Sequence, residues 1–174
     1  MTPEPLRRRL WQEAEGKHAF AILDGAQNPQ LLDWLYAPQA PQFECLFAGE
    51  LEPDMAEVAP YLVHLLPQTP FADQLLGANW SPNFGLLLTS GAELPRVWRH
   101  LRQHTMIYGP DLEPLYFRFY DPRVLRGFLP GCNPQQLQGF FGCVDFIFSE
   151  GADGGPAQAW SLAEGKLVRE DLSA

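Results

Sequence analysis

Arg118, Arg123 and Arg126 sit close together in the chain, with Tyr120 and Asp121 among them. A guanidinium fork matches a carboxylate with two parallel hydrogen bonds, and arginine is enriched at protein interfaces. The chemistry this set offers is capture of an acidic or carboxylate-bearing segment. The stretch that carries it runs from Pro114 to Pro130. Leu115, Phe117 and Phe119 alternate there with Tyr116, Arg118 and Tyr120, a period of two that predicts a strand over 114–120. Asp121 is an N-cap and Pro122 suits a first helical position, because its missing N–H would be unpaired there anyway. Val124, Leu125, Phe128 and Leu129 follow at helical spacing. One strand–cap–helix corner is expected to present Arg118, Tyr120, Asp121, Arg123 and Arg126 to a partner. The competing reading is that each arginine pairs internally with one of the chain's many carboxylates. The clustering favours an outside partner.

Other residue pairs offer less. His100 and His104 have the i, i+4 spacing of metal ligands, but no Glu follows His100 and no third ligand is near in sequence. They read as a surface or half-buried pair, and no metal is expected. His18 and His64 are isolated, and His64 falls in an apolar run typical of a core histidine. Asp24 and Asp121 both mark strand ends, where α/β enzymes keep catalytic groups. Yet Asp24-Gly25 is an ordinary turn dipeptide and Asp121 an ordinary cap. Glycine-rich phosphate loops are missing, and neither Ser81 nor Ser90 lies in a G-x-S-x-G elbow. Cys45, Cys132 and Cys143 lack C-x-x-C spacing and a neighbouring His, and read as free, buried thiols of a reducing compartment. No catalytic set and no cofactor are expected.

Composition bounds the rest. The chain has 174 residues, 46% of them hydrophobic, with 12 Phe, enough for a proper core and far from disorder. Its net charge of −9 argues against general binding to nucleic acid or anionic membranes. Basic residues between Met1 and Gly16 are not followed by an apolar h-region, and no stretch is apolar enough to span a bilayer. A cytosolic protein is expected.

The elements that must position these residues can be read in order. Thr2-Pro3 caps a first helix with Leu6, Leu10, Trp11 and Ala14 on one side and Gly16 at its end. Ala19 to Leu23 is a buried strand ending in Asp24-Gly25. Asn28-Pro29 opens a helix with Leu31, Leu32, Leu35 and Tyr36. Phe43 to Phe47 and Tyr61 to Leu66 are strands, with a loop or single helical turn at 50–57 between them. Thr69-Pro70 starts a helix that stops at Gly77. Phe84 to Thr89 is a fully apolar, central strand. Leu94, Val97, Trp98 and Leu101 define a helix near Glu93 to Gln103. Ser90 and Glu93 have capping-box spacing there, which would place Pro95 inside the first turns. Thr105 to Tyr108 and Leu115 to Tyr120 flank the turn Gly109-Pro110-Asp111 and read as a hairpin. Asn133-Pro134 caps a helix with Leu137, Phe140 and Phe141, and a strand follows over Val144 to Phe148. A final hairpin is expected over about 157–171. The fold class is α/β: a mixed sheet from the runs near 20, 45, 63, 87, 106, 117 and 146, flanked by helices, as one compact domain over 1–174.

Read in this order, the chain resembles a known family. Ala21-Ile22-Leu23-Asp24-Gly25-Ala26, Cys45-Leu46-Phe47-Ala48-Gly49-Glu50-Leu51 and Ala59-Pro60-Tyr61-Leu62-Val63 are similar to its early landmarks. Gly85-Leu86-Leu87-Leu88-Thr89-Ser90 and Arg99-His100-Leu101-Arg102 are similar to its middle ones. Phe117-Arg118-Phe119-Tyr120-Asp121-Pro122-Arg123-Val124-Leu125 resembles its signature. The family is the effector adaptor–chaperones of bacterial type VI secretion, and the resemblance covers about 18–150. It implies a cytoplasmic, non-enzymatic bacterial protein that binds a toxic effector and helps load it onto the VgrG spike. Members commonly carry a second, helical lobe, which is expected to be missing or minimal here because the sequence stops at Ala174. The rival from another class is a small hydrolase or anion-binding enzyme with Asp24, Asp121 and Arg118 at the strand ends.

Overall fold

Strand β1 (His18–Asp24) runs through the middle of the molecule, hydrogen-bonded on both sides. It pairs with β3 (Pro60–Leu65) on one side and β4 (Gly85–Ser90) on the other, with Ile22 opposite both Leu62 and Leu86. The computed structural model describes residues 4–77, 80 and 82–173, so the expected Thr2-Pro3 cap and Ser81 lie outside the described residues. The sheet extends through β2 (Phe43–Cys45) beyond β3. Beyond β4 come β7 (Phe146–Ser149), β8 (Ala157–Ala163) and β9 (Lys166–Leu172), giving the order β2-β3-β1-β4-β7-β8-β9. A separate two-stranded sheet holds β5 (Met106–Tyr108) and β6 (Pro114–Tyr116).

The helices are α1 (Glu4–Glu13), α2 (Leu31–Leu35), α3 (Pro53–Val58), α4 (Pro70–Leu76), α5 (Leu94–Leu101), α6 (Pro122–Phe128) and α7 (Pro134–Phe141). Side-chain alternation along β1 splits the interior in two. Ala19, Ala21 and Leu23 pack with Leu6 and Leu10 of α1, Leu31 and Leu35 of α2, and Leu75 and Leu76 of α4. Phe20 and Ile22 pack with Val97 and Leu101 of α5, Leu125 of α6, and Phe140 and Phe141 of α7. Helices therefore cover both faces of the sheet, which explains why β4 is buried at every position. The α/β class expected from the sequence is the class found, in one domain.

Three details of the sheet differ from expectation. All its pairings are antiparallel rather than mixed in direction. The strand–helix–strand units do return in the same direction, but each straddles a strand: β1 and β2 flank β3, and β3 and β4 flank β1. The runs near 106 and 117 form the separate ribbon instead of joining the sheet, and the C-terminal hairpin joins it in their place. Predicted caps hold at Thr69, Asp121 and Asn133, the last with a full capping box. Asn28 does not cap α2: its Oδ1 accepts the Gln30 N–H at 2.9 Å in a side-chain turn, and the helix begins at Leu31. Pro95 sits in the first turn of α5 behind Glu93, where no amide donor is needed, while Ser90 stays in β4 and donates to the Cys143 carbonyl.

Candidate protein-binding site

Asp24 ends β1 and is fully buried. Its Oδ1 accepts the Ala26 N–H at 3.1 Å, and its Oδ2 accepts Arg118 Nη2 at 2.5 Å. The tight turn behind it depends on Gly25, where a Cβ would stand 2.3 Å from the Glu57 carbonyl oxygen. Burial pushes the Asp24 carboxyl above the ordinary carboxylate value, against the opposing pull of Arg118 and Ala26. Burial also works against the Arg118 charge, but Asp24 outweighs it and holds the guanidinium protonated.

Asp121 caps α6 and clamps the residue two further on. Its Oδ1 accepts the Arg123 backbone N–H at 2.9 Å and Nε at 3.0 Å, while Oδ2 accepts Nη2 at 2.6 Å. Burial raises this carboxyl, yet the bonds from Arg123 outweigh burial and hold it below the ordinary value. Tyr120, between the two pairs, is pushed up to about 12 by burial, with the nearby Asp24 charge adding to the shift. Arg126 is turned elsewhere: its Nη1 donates to the Glu150 carbonyl at 2.7 Å. The Glu150 carboxylate in turn accepts Trp80 Nε1 at 2.7 Å and the Asn83 N–H at 2.8 Å.

All five residues expected at the corner are thus near the same end of the sheet, but in a different arrangement. The strand stops at Tyr116, not Tyr120. The Phe117 N–H makes the last bond to Thr105, and the Asp121 N–H closes a turn on Arg118. Arg118 therefore lies on a turn, with Phe119 and Tyr120 driven into the core rather than alternating across a strand. Tyr120 and Asp121 are 2% and 3% exposed and offer no surface. Each of the three arginines has a partner within the chain.

The histidines form two pairs, His18 with His64 and His100 with His104. His18 and His64 place ring nitrogens 3.3 Å apart, and burial, with His18 beside it, pushes the His64 pKa down. His100 Nε2 donates to the Phe140 carbonyl at 2.8 Å, and half-buried His104 is pushed down to about 4 by burial, with His100 adding. The three cysteines are free and half-buried rather than fully buried, and burial raises each thiol.

The feature that the sequence reading missed is the outer surface of the ribbon. Among the described residues ten large hydrophobic side chains are exposed, and six of them are Met106, Ile107, Tyr108, Leu112, Leu115 and Tyr116. Met106 faces Tyr116 across the ribbon and Ile107 faces Leu115, so both of its faces are apolar. The Phe47 and Tyr116 rings pack at a tilt, 4.7 Å between centres. Trp98 Nε1 donates to the Cys45 carbonyl at 2.7 Å, and the Arg102 guanidinium lies over the Trp98 ring at 4.4 Å. A continuous surface therefore runs from α5 through 45–47 to the ribbon. The signal in the sequence was the absence of polar alternation in Met106-Ile107-Tyr108, which reads equally well as a fully buried strand.

An α/β domain with helices on both faces of an antiparallel sheet, carrying an apolar ribbon exposed to solvent, is the class of protein these features define. The family model described as "Domain of unknown function (DUF4123)" matches residues 19–139, and the chain belongs to that family. No curated protein and no solved structure gives a significant match. Among the described residues, no helix is long and apolar enough to cross a membrane.

Proposed function

We propose that this protein is a non-enzymatic adaptor–chaperone of type VI secretion, which holds a toxic effector in the bacterial cytoplasm and helps load it onto the VgrG spike. The observation that carries this reading is the ribbon. A two-stranded hairpin is marginal in water by itself, and contiguous exposed apolar surface marks interaction sites. Six large apolar side chains on one such hairpin, in a chain of net charge −9, fit a surface that another protein covers. The motif resemblance over about 18–150 supports the same reading, and the matched family model, whose function is unknown, covers residues 19–139 of that stretch. The other class, an anion-binding enzyme using Asp24, Asp121 and Arg118, is less well supported. Its arginines already face carboxylates of their own chain.

Co-expression with a spike gene and an effector gene from the same genome tests the reading. The expected result is a stable complex with the effector that survives gel filtration and transfers it to the spike protein. An effector that stays soluble and reaches the spike equally well without this chain would overturn it.

A further inference from the structure

The β5 edge of the ribbon is open. The Gly109 N–H bonds to the Glu113 oxygen and the Phe117 N–H to the Thr105 oxygen, which fixes the phase of the ladder. Rungs alternate in an antiparallel pair, so Ile107 and Leu115 exchange the bonds between them. The N–H and C=O groups of Met106 and Tyr108 then point away from β6. Among the described residues, no backbone bond joins Met106 or Tyr108 to a segment beyond the ribbon. The outer edge of β6 is the poorer one: Pro114 has no N–H to give, and the Phe47 ring packs at a tilt against Tyr116 beside it.

The main sheet manages its own edges differently. β2 is three residues long, and β9 carries Lys166, Arg169, Glu170 and Asp171. β5 carries instead exposed Met106 and Tyr108, the latter 70% exposed. Ahead of β5 in the chain, Arg99 in α5 and Arg102 just after it are, among the described residues, in no ion pair with a carboxylate: Arg99 Nε donates to the Pro95 carbonyl at 3.1 Å, and the Arg102 guanidinium lies over Trp98. A second copy of the chain would bring another net charge of −9 to the same place, which opposes self-association.

We infer that β5 accepts a third strand from a partner along Met106–Tyr108, and that this segment is apolar with acidic flanking residues that meet Arg99 and Arg102. The inference rests on reading the ribbon as the adaptor's protein-binding face, and adds which edge binds and what chemistry it takes. Main-chain bonds would supply affinity and alternate side-chain contacts specificity.

The test uses the full chain and a synthetic peptide of alternating Val and Thr with Asp and Glu at both ends. Controls carry Lys at the ends or Pro in the centre. The acidic peptide is expected to bind, and both controls to bind at least about tenfold more weakly. Hydrogen exchange at the Met106 and Tyr108 amides should slow in the complex. Tyr108→Pro removes an outward N–H at a position that makes no rung, so the ribbon stays closed. It should weaken binding by about tenfold or more. Tyr108→Thr keeps the N–H and should bind within about threefold of wild type. Arg99→Glu with Arg102→Glu should reverse the preference for acidic ends. Wild-type binding by Tyr108→Pro, an unprotected edge, or no peptide binding at all would overturn the inference. So would edge protection that appears with protein concentration alone, which would assign the edge to a second copy. If Tyr108→Pro holds the effector as wild type does, the edge is wrong and the adaptor reading stands. If the wild type binds peptide but no effector, the adaptor reading fails and the edge stands.

Discussion

Asp24 Oδ2 and Arg118 Nη2 are 2.5 Å apart although 94 residues separate them in the chain, with the carboxylate fully buried and the arginine side chain 40% exposed. This pair ties the end of the central strand to the turn before α6. Removing Arg118 strands a buried charge. Arg118→Met should cost about 2–3 kcal/mol, discounted from a fully buried pair because water reaches the guanidinium. Adding Asp24→Asn removes the stranded charge and should recover part of that loss. Urea unfolding of the single and double variants checks both. An additive double variant would mean that the pair contributes nothing as a pair.

Acid should destabilise the protein in a window set by His104. Its folded pKa is lowered to about 4 from 6.5, mainly by burial, so the unfolded chain binds more protons between those values. A depressed histidine contributes stability that is present above 6.5 and is lost as pH falls through this window. His104→Phe, which suits the neighbouring Phe119 and Phe140 rings, should flatten the pH dependence of the melting temperature between about 6.5 and 4.

The two aspartates of the corner pull in opposite directions, Asp121 below 3.8 and Asp24 from 3.8 upward to its folded value. Asp121, whose folded pKa is lowered, contributes stability above the unfolded value of 3.8 that is lost as pH falls below it. Asp24, whose folded pKa is raised, contributes most below 3.8 and loses that contribution as pH rises through its folded value. Asp121→Asn should therefore blunt acid unfolding, and Asp24→Asn should sharpen it. Stability measured against pH for the two variants must show opposite slopes relative to wild type.

Local chemistry made much of this legible in advance. Thr69, Asp121 and Asn133 cap helices because a short side-chain oxygen accepts an unpaired first-turn N–H next to a proline that needs none, although Asn28-Pro29 makes a side-chain turn instead. β1, β3 and β4 were readable as apolar runs between turn residues. Strand order was not, because nothing local in Met106-Ile107-Tyr108 says whether a sheet or solvent lies beside it. The strand over 114–120 failed for a related reason. Phe119 and Tyr120 alternate correctly for a strand, but the second core behind α6 and α7 claims both rings, and the backbone turns to deliver them. Arg118 and Arg123 sit on carboxylates of the chain, and Arg126 on the Glu150 carbonyl. Those carboxylates were not foreseen, since Asp24 lies far away in sequence and Asp121 had already been assigned to a cap.

The exposed ribbon side chains should tolerate change. Ile107→Thr with Leu115→Thr keeps β propensity and removes apolar surface from one face, so stability should shift by no more than about 1 kcal/mol. Effector co-purification should fall sharply in the same variant. A large drop in melting temperature would show that this face packs against the domain rather than against a partner.

The corner arginines can be separated from one another by the same comparison of melts and pull-downs. Arg126 reaches the Glu150 carbonyl, and the Glu150 carboxylate anchors Trp80 and Asn83, so Arg126→Glu places a like charge beside a working carboxylate. That variant should lose about 1–3 kcal/mol, a fall of several degrees in a domain of this size. Arg123 differs, because its side chain is 56% exposed and its bonds are to its own helix cap. Arg123→Glu should weaken the start of α6 slightly and leave the rest of the fold unchanged. If both variants bind effector normally once folded, the corner is a structural clasp and the ribbon is the partner face. If Arg123→Glu melts like wild type yet loses the effector, the exposed guanidinium is itself a contact, and the binding surface extends from the ribbon to the corner.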